Sequence, residues 1–144
     1  MKLEEIHELW ARESKIDKSN LLEESVRVPD LHAKWLKIWV DERLLMLRLT
    51  QEAAKLALSK HDWLSTGDTK ESIELGWMMP PRGRPLVGDR KIVLAADNEM
   101  QSMELKVGLQ KAKIEALDDI LGHIRFRNNT IKNAIDMIKH NSGA

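Results

Sequence analysis

The chain has 144 residues, 42% of them hydrophobic and 32% charged, which fits one domain, or one compact unit with an extended arm, able to bury a core. Its 23 basic and 23 acidic residues give a net charge of +0, which argues against a strong, sequence-blind nucleic-acid binder held by charge alone. Cysteine is absent, so disulfides and thiolate chemistry are excluded.

No apolar run approaches the ~20 residues that span a bilayer, and Met1 to Glu5 has no secretory character; the expected location is cytoplasmic. Charge is unevenly spread. Residues 1–30 carry five basic and eight acidic groups, 31–64 carry six and four, and from Ile120 onward there are four and one. A neutral chain with this distribution can still present a basic surface, especially when assembly repeats it.

Leu3, Ile6, Leu9 and Trp10 recur at helical spacing and predict a short amphipathic helix over 2–12. Lys15 to Asn20 reads as a break, after which Asn20 with Glu23 offers a capping box for a second short helix. Pro29 is expected to interrupt or restart that helix. From Asp30 to Leu64 the helical pattern is long. Leu31, Trp35, Ile38, Leu45, Leu49, Leu56 and Trp63 form one stripe, with Leu36, Val40, Leu44, Leu47, Ala54 and Leu58 beside it. Together they make an apolar face too wide for a helix lying alone on a surface. Ser65-Thr66-Gly67-Asp68 is a stop and turn signal.

Residues 68–91 hold three of the four prolines, together with Gly76, Gly83 and Gly88, and predict a flexible or irregular connection. Within it Ser72 to Leu75 fits a short strand or a helical turn equally. In the last segment Met103, Val107, Gln110, Ile114, Leu117, Leu121, Ile124, Asn128, Ile131, Ile135 and Ile138 follow 4-3-4-3 spacing. That is the seam of a coiled coil or bundle, on a helix roughly 50 Å long at ~1.5 Å per residue. Polar Gln110 and Asn128 in the seam are expected to fix register and partner number, and Gly122 to allow close approach or a bend.

The five histidines form no i,i+4 pair for zinc, and Glu4 to His7 is the only Glu-x-x-His spacing, where a di-iron bundle needs two. Neither a phosphate loop nor a nucleophile arrangement is present. The reading is therefore non-enzymatic, with no metal and no cofactor. Nucleic acid is better supported. Lys55, Lys60, His61 and Trp63 near the end of the long helix are followed by Lys70, Trp77, Arg82 and Arg84 in the connection. Aromatics interleaved with cations near mobile backbone suit single strands, whose bases stack and whose phosphates need neutralising. The plainer alternative is that the tryptophans pack in the core and the charges are solvated.

Several segments resemble the UvsY family of recombination mediators of T4-like bacteriophages. They are Ile16-Asp17-Lys18-Ser19-Asn20-Leu21 with Glu24-Ser25; Pro29 to Leu36; Asp41-Glu42-Arg43-Leu44; Lys60, Trp63 and Gly67; Gly76-Trp77; and Arg127-Asn128-Asn129-Thr130-Ile131-Lys132-Asn133-Ala134-Ile135. The resemblance implies a protein that binds single-stranded DNA and forms a closed homo-oligomeric ring of six or seven subunits. It further implies displacement of the phage single-strand-binding protein and nucleation of a RecA-like phage recombinase, in the cytoplasm of the infected bacterial host. The family's Lys-x-Arg signature falls on Leu58-Ser59-Lys60, where only Lys60 keeps a cation, with Lys55 and His61 placed to compensate. The Pro- and Arg-containing segment at 80–85 departs from the family pattern.

The expected fold is all-α, an elongated subunit with two long helices, the C-terminal one a coiled-coil-like assembly helix carrying the seam from Met103 to Ile138. The expected division is a DNA-binding region at 1–67, a connection at 68–91 and an oligomerisation helix at 92–144. The leading function is a single-stranded-DNA-binding recombination mediator. The alternative is a coiled-coil scaffold or adaptor that binds no DNA.

Overall fold

The computed structural model describes residues 1–143. Five helices follow in chain order: α1 (Leu3–Glu13), α2 (Leu21–Thr66), α3 (Lys70–Leu75), α4 (Arg90–Ala95) and α5 (Asn98–Asn141). No strand occurs among the described residues, so the fold is all-α. Ser72 to Leu75 takes the helical of its two options.

Packing groups these elements into two compact units, one of residues 1–45 with 110–144 and one of 46–109. Each draws on both long helices, so the grouping cuts across the three consecutive regions suggested by composition.

In the first unit α1 and the N-terminal part of α2 cover one face of α5. Ile6, Leu31, Trp35, Leu117, Leu121, Ile124 and Ile131 form the buried centre. Trp10 meets Trp35 edge to face, with ring centroids 5.7 Å apart. Trp35 Nε1 donates to Glu13 at 2.8 Å, and Lys34 pairs with the same carboxylate. The seam of α5 is thus covered from Gln110 to Ile131 by the chain's own helices, with Asn128 as the exposed exception.

Polar residues set the register of this packing. Gln110 Nε2 donates to the Glu42 carboxylate at 2.6 Å and to the Glu42 carbonyl at 2.8 Å. Asn128 Oδ1 accepts from Ser25 at 3.3 Å. Both polar seam residues therefore specify an intrachain pairing of α2 with α5.

Two local expectations are corrected. α2 runs through Pro29 without a break. Proline lacks the N–H that Ser25 would accept, a local cost that the burial of Val28 and Leu31 offsets. The Asn20–Glu23 side-chain box is not formed among the described residues. Instead Asp17 organises the turn, accepting from the Ser19 N–H at 2.9 Å and the Ser19 hydroxyl at 2.6 Å. These bonds hold the Asp17 carboxyl below the usual carboxylate range.

Arg127 locks that turn to α5. Its guanidinium donates to the carbonyls of Ser14 and Lys15, both at 3.0 Å, and to Glu24 at 2.9 Å. At Gly122 a Cβ would meet nothing within 4 Å, so no other part of the chain approaches the helix closely there.

Candidate nucleic-acid interface

All eight residues read as a DNA-binding set lie in the second unit, 46–109. α2 ends at Thr66, and Gly67, with φ of 91°, turns the chain out while its N–H bonds the Trp63 carbonyl at 2.9 Å. Thr69 then caps α3 by accepting from the Ser72 N–H at 3.0 Å. Gly76, in the left-handed region, ends α3, and this delivers Trp77 back onto the end of α2.

Residues 56, 60, 63 and 64 share one face of α2 at helical spacing, and the structure buries that face. Trp63, Leu64 and Trp77 form a second apolar cluster, bordered by Leu56, Met79, Val93 and Leu94. The rings of Trp63 and Trp77 lie 5.4 Å apart at 55°. Lys60, only 3% exposed, places Nζ 4.5 Å from the Trp77 ring centre and 5.7 Å from that of Trp63. The same ammonium pairs with Asp97 at 2.9 Å and lies 3.6 Å from Glu99. Trp77 Nε1 donates to Glu99 at 2.8 Å, and Trp63 Nε1 to Asp68 at 3.3 Å.

The charge of Lys60 is therefore satisfied inside the unit by two ring faces and two carboxylates. Of the residues read as facing a ligand, Lys60, Trp63 and Trp77 are buried. They join the end of α2 to the start of α5 and fix where the connection begins. Sequence reading missed Asp97 and Glu99 because nothing in local spacing announces a partner 37 and 22 residues away.

The remaining five residues are exposed: Lys55 and His61 on α2, Lys70 on α3, and Arg82 and Arg84 in the connection. Among the described residues none of the five forms an ion pair, and Arg84 alone is tethered, donating to the Ser65 carbonyl at 3.3 Å. Two further cations, Arg90 and Lys91, begin α4, and sequence reading passed over them although they stand within ten residues of Arg82.

Of the seam residues, Gln110, Ile114, Leu117, Leu121, Ile124 and Ile131 are buried. Met103, Val107 and Ile135 are partly covered, and Asn128 and Ile138 are exposed. On α2 the stripe from Leu31 to Trp63 faces inward, while Leu36, Val40, Leu44, Leu47 and Leu58 are exposed.

His7 and His123 line a hollow of about 300 Å³ with Trp10 and Asp119. No group of three His, Cys, Asp or Glu among the described residues is arranged to hold a metal ion, and no helix among them is long and apolar enough to cross a membrane.

A family model described as the recombination, repair and ssDNA binding protein UvsY matches residues 9–144. The chain belongs to the UvsY family. Crystal structures of the recombination mediator protein UvsY of bacteriophage T4, in three lattice types, share this chain's architecture. Their TM-scores are 0.79, 0.81 and 0.80, at 21%, 23% and 22% identity. The alignments cover 98%, 99% and 95% of this chain and 99%, 98% and 98% of the T4 chains. No curated protein sequence matches. The all-α fold of this UvsY-family chain, with α2 packed on α5, is thus the fold of the T4 protein.

Proposed function

We propose that the chain is a single-stranded-DNA-binding recombination mediator that helps load a RecA-like phage recombinase onto DNA covered by single-strand-binding protein, in the cytoplasm of the infected host cell. The observation that carries this reading is the family match over residues 9–144. Lys55, His61, Lys70, Arg82 and Arg84 are the groups that meet phosphate, since they are exposed and unpaired in one unit. Lys60, Trp63 and Trp77 support them by holding the connection on α2.

Each patch is weak because the chain is neutral. A homo-oligomeric ring of six or seven copies presents the patch repeatedly, and avidity multiplies it without making any one contact slow to release. That combination suits handing DNA from one protein to another. Copies meet through apolar side chains that the subunit leaves uncovered: Leu36, Val40 and Leu44 on α2, and Ile138 at the end of the α5 seam.

The test is retention of oligo(dT) against salt. Replacing Lys55 and Lys70 together by alanine should reduce the slope of log affinity against log salt by about 1.4 per bound subunit, at roughly 0.7 per single-strand phosphate contact. An unchanged slope removes these residues from the interface. Lys60→Ala should act by another route, lowering the unfolding midpoint and shifting tryptophan emission to longer wavelength as Trp63 and Trp77 gain water. A second reading, a scaffold or adaptor that binds only protein, is favoured by the zero net charge. It predicts no oligo(dT) retention even at low salt, with assembly intact.

A further inference from the structure

The segment from Pro80 to Val93 has a character that DNA binding does not explain. Pro80, Pro81 and Pro85 fix three backbone φ angles. Two turns brace the loop, with the Gly83 N–H on the Pro80 carbonyl at 2.8 Å and the Asp89 N–H on the Leu86 carbonyl at 2.9 Å. Together with the start of α4 this loop encloses a cleft of about 630 Å³. Leu86 and Ile92 line it while remaining 77% and 69% exposed.

Charge in the same stretch is one-sided. Residues 82–91 hold Arg82, Arg84, Arg90 and Lys91 against Asp89 alone, and none of these four cations forms an ion pair among the described residues. The Arg90 Nε is buried without a hydrogen-bond partner. Among the described residues six of the nineteen other basic side chains are paired with carboxylates, so it is the clustering of four unpaired cations beside an apolar cleft that sets this stretch apart.

We propose that this cleft is a docking site for an acidic, aliphatic-rich peptide segment of a partner protein. Its carboxylates meet Arg82 and Arg84, and its apolar side chains seat on Leu86 and Ile92. Single-stranded DNA could use the two arginines but would leave Leu86 and Ile92 unused, because bases stack on aromatic side chains and residues 78–94 contain none. Guanidinium forks bind carboxylates in two-point contact, and exposed aliphatic side chains gain only from an apolar guest. The proline-set loop binds with little ordering cost, which favours a flexible tail as guest.

The site shares Arg82 and Arg84 with the DNA reading, yet its aliphatic half stands apart from that reading. A tail seated here also competes with DNA for two of its cations, so a partner's arrival would loosen the strand locally.

The test uses the full chain and a short fluorescein-labelled peptide of alternating Asp and Leu, read by anisotropy. We expect saturable binding that weakens at least about tenfold for Leu86→Asp, for Ile92→Asp, and for Arg82→Ala with Arg84→Ala. We expect a similar loss when the peptide's Asp residues are changed to Asn. Circular dichroism checks that each variant keeps its helix content, which exposed positions should allow. Leu86→Asn, which adds no charge beside Arg84, should weaken peptide binding similarly while leaving oligo(dT) retention within about twofold. No peptide binding, or binding indifferent to these variants or to peptide charge, overturns the proposal. Loss of oligo(dT) retention in Leu86→Asn makes the cleft a DNA site, and a lower assembly mass in that variant makes it a contact between copies; either result overturns it. Failure of the DNA reading shows separately, as absent oligo(dT) retention beside intact peptide binding.

Discussion

Glu42 is a buried carboxylate surrounded by donors. Burial pushes its pKa up, but hydrogen bonds from Gln110 at 2.6 Å and the Met1 amino group at 3.2 Å, with Lys113 at 3.7 Å, together hold it below the usual glutamate range. A depressed folded-state pKa contributes stability that is present above the ordinary glutamate value and lost as pH falls through the folded one. Glu42→Gln should therefore cost about 2 kcal/mol at neutral pH, the scale of hydrogen bonds to a charged group. The deficit relative to the unsubstituted chain should shrink as pH drops below the ordinary glutamate range. Urea unfolding at neutral and acidic pH measures both, and a pH-independent difference would mean that the charge of Glu42 is irrelevant. Lys60 teaches the same lesson from the other side. Its identity suggested a phosphate contact, and its partners Asp97, Glu99 and Trp77 make it an internal tie.

At the scale of elements, both long helices carry residues that helices disfavour, and the structure shows where these cost something without return. Gly122 lies inside α5, and a methyl group there would meet nothing within 4 Å. Gly122→Ala should raise stability by about 0.8–1 kcal/mol through helix propensity. Pro29 is exposed inside α2, so Pro29→Ala should restore one backbone hydrogen bond and stabilise by roughly 1–2 kcal/mol, after allowing for the freer unfolded chain. Leu117, fully buried, bounds the comparison: Leu117→Ala should cost about 2–5 kcal/mol. Thermal or urea melts rank the three. A destabilised Gly122→Ala would show that the added methyl meets a neighbour after all.

For the whole molecule, the decisive matter is which apolar surface is left after the chain has covered itself. Ile131 is buried against α2, so an Asp there would unfold the subunit and report nothing about assembly. Leu44, 57% exposed, is the sounder probe. Leu44→Asp with Ile138→Asp should keep helix content while giving smaller species by light scattering, and should weaken oligo(dT) retention by at least about tenfold through lost avidity. Unchanged mass would move the contact between copies to another face.

The sequence by itself determined the two long helical stretches and the stop between them, but not the continuity of α2 through Pro29 or the short α4. The 3.6-residue spacing, the Gly67 stop and the prolines of 80–85 act over a few residues and are legible locally. It also showed the family, through short collinear segments ending in Arg127 to Ile135. It could not show what covers each helix. A 4-3-4-3 seam looks alike whether a second copy or the chain's own helices bury it, because periodicity records a face and not its partner. Only the tertiary structure decided that Gln110 to Ile131 serves the subunit. It also decided that Lys60, Trp63 and Trp77 turn inward, and that Arg82, Arg84, Leu86 and Ile92 remain outside. The reason is physical: burial and charge pairing are settled between residues far apart in the chain, where no local pattern can register them.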